Sequence, residues 1–114
     1  MINHETFLKM TYGLFTVCSG DKNNGNGIVS NTLFQVTSEP PCSANCYNKN
    51  NYTAEFIQKS KNFSVSIIKK DIDPRLFGKF GFRTGRDIDK FEGLNMEYGK
   101  SGAPIVLNDT LAFL

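Results

Sequence analysis

Short alternations of apolar and polar residues recur along the chain and predict β-strands. Four segments fit half-buried strands: YGLFTVCS (12–19), SNTLFQVT (30–37), CSANCYN (42–48) and FSVSII (63–68). A last apolar segment, PIVLNDTLAFL (104–114), is also strand-like. The segment GDKNNGNG (20–27) has the Gly, Asn and Asp content that is typical of a turn. The pattern therefore predicts a mainly β domain.

Three short helices are predicted at the periphery. Asn3 is placed to cap a brief helix that runs to about Met10. Thr53 is the expected N-cap of a helix over 53–60. Asp73 precedes Pro74, which is a favoured first helical residue, and predicts a helix over 74–80. Many strands with few helices favour a small antiparallel barrel.

The segment 30–37 is unusually polar for a strand. Leu33, Phe34 and Val36 suit a half-buried surface, but Asn and Thr precede them, Gln lies among them and Thr follows them. Pro40 and Pro41 then end any hydrogen-bonded ladder, because proline has no backbone N–H. A strand that only packs on a core does not require these polar side chains, so their presence needs another explanation.

Length, charge and cysteine content limit the classes of protein to which this chain can belong. A chain of 114 residues is expected to form one domain, residues 1–114. Its net charge of +2 does not favour nucleic acid or a membrane surface as a partner. The N-terminus has no apolar run typical of a secretory signal, and three cysteines without such a signal favour reduced thiols in a cytoplasm. Cys42 and Cys46 lack the paired spacing of a zinc site, and we expect them to be buried and inert.

The segment NKNNYTAEF is a candidate anion site. Asn48, Lys49, Asn51 and Thr53 cluster at a predicted helix start, where free backbone N–H groups and the helix dipole favour negative charge. A phosphate monoester suits this arrangement. An ordinary capped turn in solvent explains the same residues, and the spacing does not decide between the two.

The segment FGFRTGRDIDKFEG (80–93) is predicted to be an irregular loop that covers something, with Phe82 and Phe91 as apolar anchors. A structural loop with an internal ion pair, from Arg86 to Asp87 or Asp89, is the simpler interpretation of these residues alone. No Ser–His–Asp arrangement and no P-loop are present. No side chain is therefore assigned as catalytic, and an enzyme of this sequence would depend on a bound cofactor.

Three segments together resemble one family. NGIVSNTLFQVTSEPP, NKNNYTAEFI and KFGFRTGRDIDKFEG are similar to the flavin reductase-like family, which folds as an FMN-binding split β-barrel. The similarity is to the branch that contains flavoredoxin and the reductase modules joined to rubredoxin. The resemblance implies a Greek-key antiparallel barrel with a few short helices, and it covers nearly the whole chain.

The resemblance also implies the cofactor-binding residues. The strand over 30–37 would lie along the flavin, which would explain its polarity. The turn over 48–53 would hold the FMN phosphate, and the segment 82–91 would close over the site. The implied set is Asn31, Thr32, Gln35, Val36, Thr37, Asn48, Lys49, Asn51, Thr53, Lys90 and Phe91.

The implied activity is reduction of FMN by NADH or NADPH, followed by electron transfer to free flavin, rubredoxin or another acceptor. A homodimer is expected. One alternative is an FMN-binding electron carrier without efficient NAD(P)H oxidation. Another is a β-barrel that binds single-stranded nucleic acid, although the mixed charges do not favour it.

The last segment ends in an apolar pattern, and relatives continue for several more strands. We therefore expect the C-terminal strands of the family to be missing here. We also expect 104–114 to have an edge that is unpaired or covered by another chain.

Overall fold

A computed structural model describes all residues, 1–114, and shows a mainly β fold. A 3-10 helix, His4–Lys9, precedes four strands: β1 (Phe15–Gly20), β2 (Gly25–Ser30), β3 (Leu33–Ser38) and β4 (Pro41–Asn45). Helix α1 (Tyr52–Ser60), β5 (Ser64–Ile68) and helix α2 (Pro74–Phe82) follow. The chain ends with β6 (Met96–Tyr98), β7 (Pro104–Val106) and β8 (Thr110–Phe113). The predicted class, antiparallel strands with a few short helices, is confirmed.

The strands form three antiparallel sheets. The largest has the order β2-β1-β5-β8, and β3–β4 and β6–β7 are two-stranded ribbons. The sheets do not close into a barrel within this chain, and β8 pairs only with β5. The predicted segment 104–114 is two strands rather than one, because a turn with Asp109 at a φ of 52° separates them. β8 therefore has the expected unpaired edge, and β7 also has a strand partner on one side only.

The predicted turn over 20–27 is wrong in its second half. Asp21 alone builds the turn, since its Oδ1 accepts hydrogen bonds from the N–H groups of Asn23 and Asn24. Residues 25–27 already pair with β1 as the start of β2. Gly27 is required there, because a Cβ would lie 2.6 Å from the Sγ of Cys18. The predicted strand 30–37 is accordingly split between the end of β2 and all of β3.

The core has two parts, one on each face of β1, because consecutive residues of a strand point to opposite faces. Val17 packs with Ile28 and Val65. Cys18 packs with Phe80 of α2 and with Val106 of β7. Side chains from α2 and from the 83–95 loop, which joins α2 to β6, cover this second cluster. The loop is thereby anchored to the core.

The β3–β4 ribbon is mostly exposed. β3 ends at Ser38, just before the two prolines, as predicted, but Pro41 itself belongs to the ladder: it is the first residue of β4, a tolerated position, and pairs with Ser38. The register shifts between Gln35 and Thr37, which leaves a β-bulge at Val36. The prediction that Cys42 and Cys46 are buried is also wrong. No third strand pairs with the ribbon, and most of its residues are exposed. The alternation in the sequence 42–48 therefore does not mark a buried face.

No helix of the chain has the length and apolarity needed to span a membrane.

Candidate functional site

Hydrogen bonds of the asparagines that precede α1 form the turn at its start. Asn51, rather than the predicted Thr53, is the N-cap, and its Oδ1 accepts a hydrogen bond of 2.9 Å from the N–H of Thr53. Asn48 Oδ1 accepts one of 2.9 Å from the N–H of Asn50, and Asn48 O accepts one from the N–H of Asn51. These amide oxygens occupy several N–H groups of the turn. Lys49, in the same turn, is exposed.

Thr53 supports this turn from beneath. Its side chain has no exposed surface, and its Oγ1 accepts a hydrogen bond of 2.9 Å from Nδ2 of Asn26, a buried residue of β2. The bond joins the first turn of α1 to the edge strand of the large sheet. Thr53 therefore fixes the position of the turn and has no surface available for a ligand.

A cavity of about 270 Å³ lies in front of the α1 start. We call it the α1 cavity. Its charged side chains are Arg83 and Lys90, and no carboxylate lines it. Asparagine amides and a threonine hydroxyl add hydrogen-bonding groups. The lining comprises Asn26, Ile28, Val29, Asn50, Asn51, Tyr52, Phe80, Gly81, Arg83, Thr84, Gly85 and Lys90. A net positive cavity at a helix N-terminus suits an anion.

Lys90 is buried, with 3% of its surface exposed. Its Nζ donates hydrogen bonds to Gly27 O (2.8 Å) and Phe80 O (3.3 Å). Burial lowers the pKa of the Lys90 amine from 10.5 to about 8. Two of the three N–H donors of the ammonium group are thus used by backbone carbonyls. A lysine that binds a cofactor directly would keep more of its donors available.

Phe91 lies beside Lys90 and packs against the core. Its ring is 6.1 Å from the ring of Phe80, centroid to centroid, and it covers the Cys18 cluster. This contact matches its predicted role as an apolar anchor. The other predicted anchor, Phe82, belongs to α2 and is 81% exposed.

The predicted ion pair of Arg86 with Asp87 or Asp89 is wrong. Arg86 pairs with Glu55 of α1, and its guanidinium lies 4.3 Å from the ring centroid of Tyr52. Both ion-pair partners are about half exposed, so the pair itself contributes little stability. The pair does join the 83–95 loop to α1. The sequence did not predict this pair, because its two residues are 31 positions apart.

The predicted ring-binding segment 31–37 lies outside the α1 cavity, and hydrogen bonds close the base of the β3–β4 ribbon. Thr32 O accepts a hydrogen bond of 3.1 Å from Cys46 N–H, and Thr32 Oγ1 donates to Cys46 O. Asn48 follows two residues later, so the ribbon and the α1 turn adjoin. Ser30 Oγ donates to Asn45 Oδ1 (2.8 Å), whose buried Nδ2 has no partner.

Farther along the ribbon, polar side chains bind their own strand. Gln35 Nε2 donates to Thr37 O (3.1 Å), and Thr37 Oγ1 donates to Pro40 O (2.7 Å). Asn31 and Val36 are exposed. The structure thus brings Asn51 and Lys90 into one cavity, places Asn48 and Lys49 beside it, and leaves 31–37 as an adjoining exposed ribbon.

A second cavity of about 490 Å³ lies beside the β1–β2 turn, and we call it the hairpin cavity. Phe91 and three aspartates line it, so its charge is mixed. The two cavities share four residues: Asn26, Tyr52, Gly85 and Lys90. Sequence reasoning missed Asn26, Arg83 and Thr84 as lining residues. Only Arg83 and Thr84 had a signal, since they lie in the segment predicted to cover a site.

The domain therefore combines antiparallel sheets, an exposed polar ribbon and a cavity whose charge favours an anion. The chain belongs to the family described as flavin reductase-like domain, whose model matches residues 7–114. The resemblance noted in the sequence is thus confirmed.

Two curated relatives and one solved structure illustrate the similarity. A high molecular weight rubredoxin of Moorella thermoacetica is 42% identical over 105 residues, which cover 92% of this chain and 46% of that protein. A ferric-chelate reductase (NAD(P)H) of Archaeoglobus fulgidus is 36% identical over 110 residues, which cover 96% of this chain and 65% of that protein. Flavoredoxin of Desulfovibrio vulgaris (Miyazaki F) matches with a TM-score of 0.74 at 22% identity, covering 90% of this chain and 69% of that one.

The chain therefore spans about half to two thirds of the length of the curated relatives it matches. The rubredoxin name of the first relative and the flavoredoxin among the solved structures fit the predicted branch.

Proposed function

We propose that this chain binds FMN and acts as the flavin domain of an NAD(P)H-dependent reductase. The α1 cavity carries the proposal, because it combines two cationic side chains with amide and hydroxyl groups and lacks any carboxylate. The phosphate of FMN is an anion with strong hydrogen-bond acceptors, which such a lining fits. The hairpin cavity, with three aspartates, suits a phosphate less well.

In this proposal, residues from three segments hold the cofactor. Asn48, Lys49 and Asn51 bind the phosphate together with Arg83, while Thr53 fixes the turn from beneath. The ribbon residues meet the ring and the ribityl chain: Asn31, Thr32, Gln35, Val36 and Thr37.

The bound flavin would supply the redox chemistry, namely acceptance of hydride from NADH or NADPH and delivery of electrons to free flavin, rubredoxin or another acceptor. The protein residues bind, orient and partly enclose it. No side-chain acid or base is assigned. A rubredoxin is a reasonable acceptor to test because one relative carries that name. A homodimer is proposed from the resemblance, and light scattering tests it.

The visible spectrum of the purified protein with added FMN, followed by equilibrium titration, tests flavin binding. Steady-state oxidation of NADH and NADPH with excess FMN then tests reductase activity. Flavin binding together with turnover is the expected result. Flavin binding without turnover would favour the electron-carrier alternative. A protein that binds neither FMN nor riboflavin would refute the proposal.

A further inference from the structure

The position of Lys90 against two backbone carbonyls needs an explanation that the proposed function does not give. Gly27 belongs to β2, which is an edge strand of the large sheet. Phe80 belongs to the last turn of α2, where carbonyl groups lack helical partners. Both carbonyls accept hydrogen bonds from the one buried amine of Lys90, at 2.8 and 3.3 Å.

We infer that Lys90 is a positioning residue, which fastens the 83–95 loop across the edge of β2 and so holds the wall that the two cavities share. A lysine in a charged loop would ordinarily keep its amine in water, because burial of the ammonium is costly. Here the amine is buried, and its hydrogen bonds join the loop to a strand and a helix at once.

The loop and β2 also touch at a second point. A Cβ on Gly85 would lie 2.0 Å from Oδ1 of Asn26, so only glycine allows this approach. Gly85, Asn26 and Lys90 are three of the four residues common to both cavities. A shift of the loop away from β2 would therefore change both cavities together. Lys90 acts on a flavin through this wall, a step that rests on the proposed function.

Because the Lys90 amine is buried when the loop is closed, closure of the loop is coupled to protonation of this amine. With the loop closed the pKa of Lys90 is about 8, whereas in an opened loop the amine returns towards 10.5. Closure therefore releases a proton between these values and becomes more favourable as pH rises. Between pH 7 and pH 9 the opening equilibrium should fall about tenfold.

Other titratable groups lie on the elements around Lys90. They are Cys18 on β1, Arg75 and Lys79 on α2, Arg83 at the end of α2, and Arg86, Asp87, Asp89 and Glu92 on the loop. Only Cys18 couples to the Lys90 charge, and burial raises the pKa of its thiol, which keeps it neutral. The expected pH dependence thus belongs to Lys90.

Hydrogen–deuterium exchange of the flavin-free chain tests this inference independently of flavin chemistry. Exchange rates of amides in 84–94, divided by the intrinsic rate at each pH, should show about tenfold less opening at pH 9 than at pH 7. Lys90→Met keeps the length and removes the donors, and should abolish this difference. Lys79→Met is the matched control, because Lys79 Nζ also donates to the loop, to Glu92 O at 3.0 Å, and should retain it.

Titrations with FMN and riboflavin at pH 7 complete the test. Lys90→Met should weaken both ligands by the same factor, since the shared wall contacts more than the phosphate. A loss confined to FMN would overturn the inference, because Lys90 would then act directly on the phosphate. A pH-independent opening in the wild type would also overturn it, and this measurement decides even if Lys90→Met fails to fold. Absence of all flavin binding with a pH-dependent loop would instead refute the proposed function alone.

Discussion

Replacing Arg83 by alanine should weaken FMN binding and leave riboflavin binding unchanged. Arg83 lines the α1 cavity, where no carboxylate offsets its charge. Riboflavin lacks the phosphate, so a residue that recognises only the phosphate does not affect it. The two ligands together separate phosphate recognition from support of the fold.

The magnitude follows from the exposure of Arg83. Hydrogen bonds to charged groups contribute about 1.5–3 kcal/mol. Arg83 is exposed, so water screens its charge and the lower end applies. About 1.5 kcal/mol corresponds to a loss of about tenfold in FMN affinity. Lys49→Ala should cost less, only severalfold, because Lys49 lies beside the cavity and not in its lining.

Fluorescence titration of each flavin measures these changes, and raising the salt concentration should reduce the difference between wild type and variant. Arg75→Ala is the matched control, since Arg75 is an exposed arginine that pairs with Asp73, away from the α1 cavity. The reasoning fails if Arg83→Ala weakens FMN and riboflavin equally, or if Arg75→Ala has the same effect on FMN.

Three further predictions concern the support of the site. Thr53→Val should lower the free energy of unfolding in urea by about 1–3 kcal/mol, because it leaves the buried Asn26 amide without its acceptor; an unchanged midpoint would contradict this. Gly85→Ala should lower both stability and flavin affinity, whereas Gly78→Ala, with open space around it, should not. An aromatic disulfide reagent should label two of the three thiols at once, and Cys18 only after unfolding, because burial raises its pKa.

Elements with local signals were predictable. Asp73 and Pro74 marked the start of α2, although the helix runs to Phe82 and not to Phe80. Asn3 caps its short helix as expected. The asparagine-rich turn before α1 was recognised too, because its hydrogen bonds connect residues two or three apart.

Features that depend on distant contacts were not predictable. Strand β2 begins with Gly-Asn-Gly, which resembles a turn, and it is a strand because these residues pair with the end of β1. The partner of Arg86, Glu55, is 31 residues away. The burial of Lys90 depends on a bond that spans 63 residues. Composition and periodicity do not encode such pairs.

The β3–β4 ribbon has a consequence for local stability. It joins the rest of the chain through Leu33, which packs on the first core cluster, and through the Ser30–Asn45 hydrogen bond. A two-stranded hairpin is marginally stable by itself, so the ribbon is expected to unfold as a unit at a lower free energy than the main sheet. A ligand that contacts the ribbon would therefore raise the local free energy of opening, by mass action, before it altered the global transition.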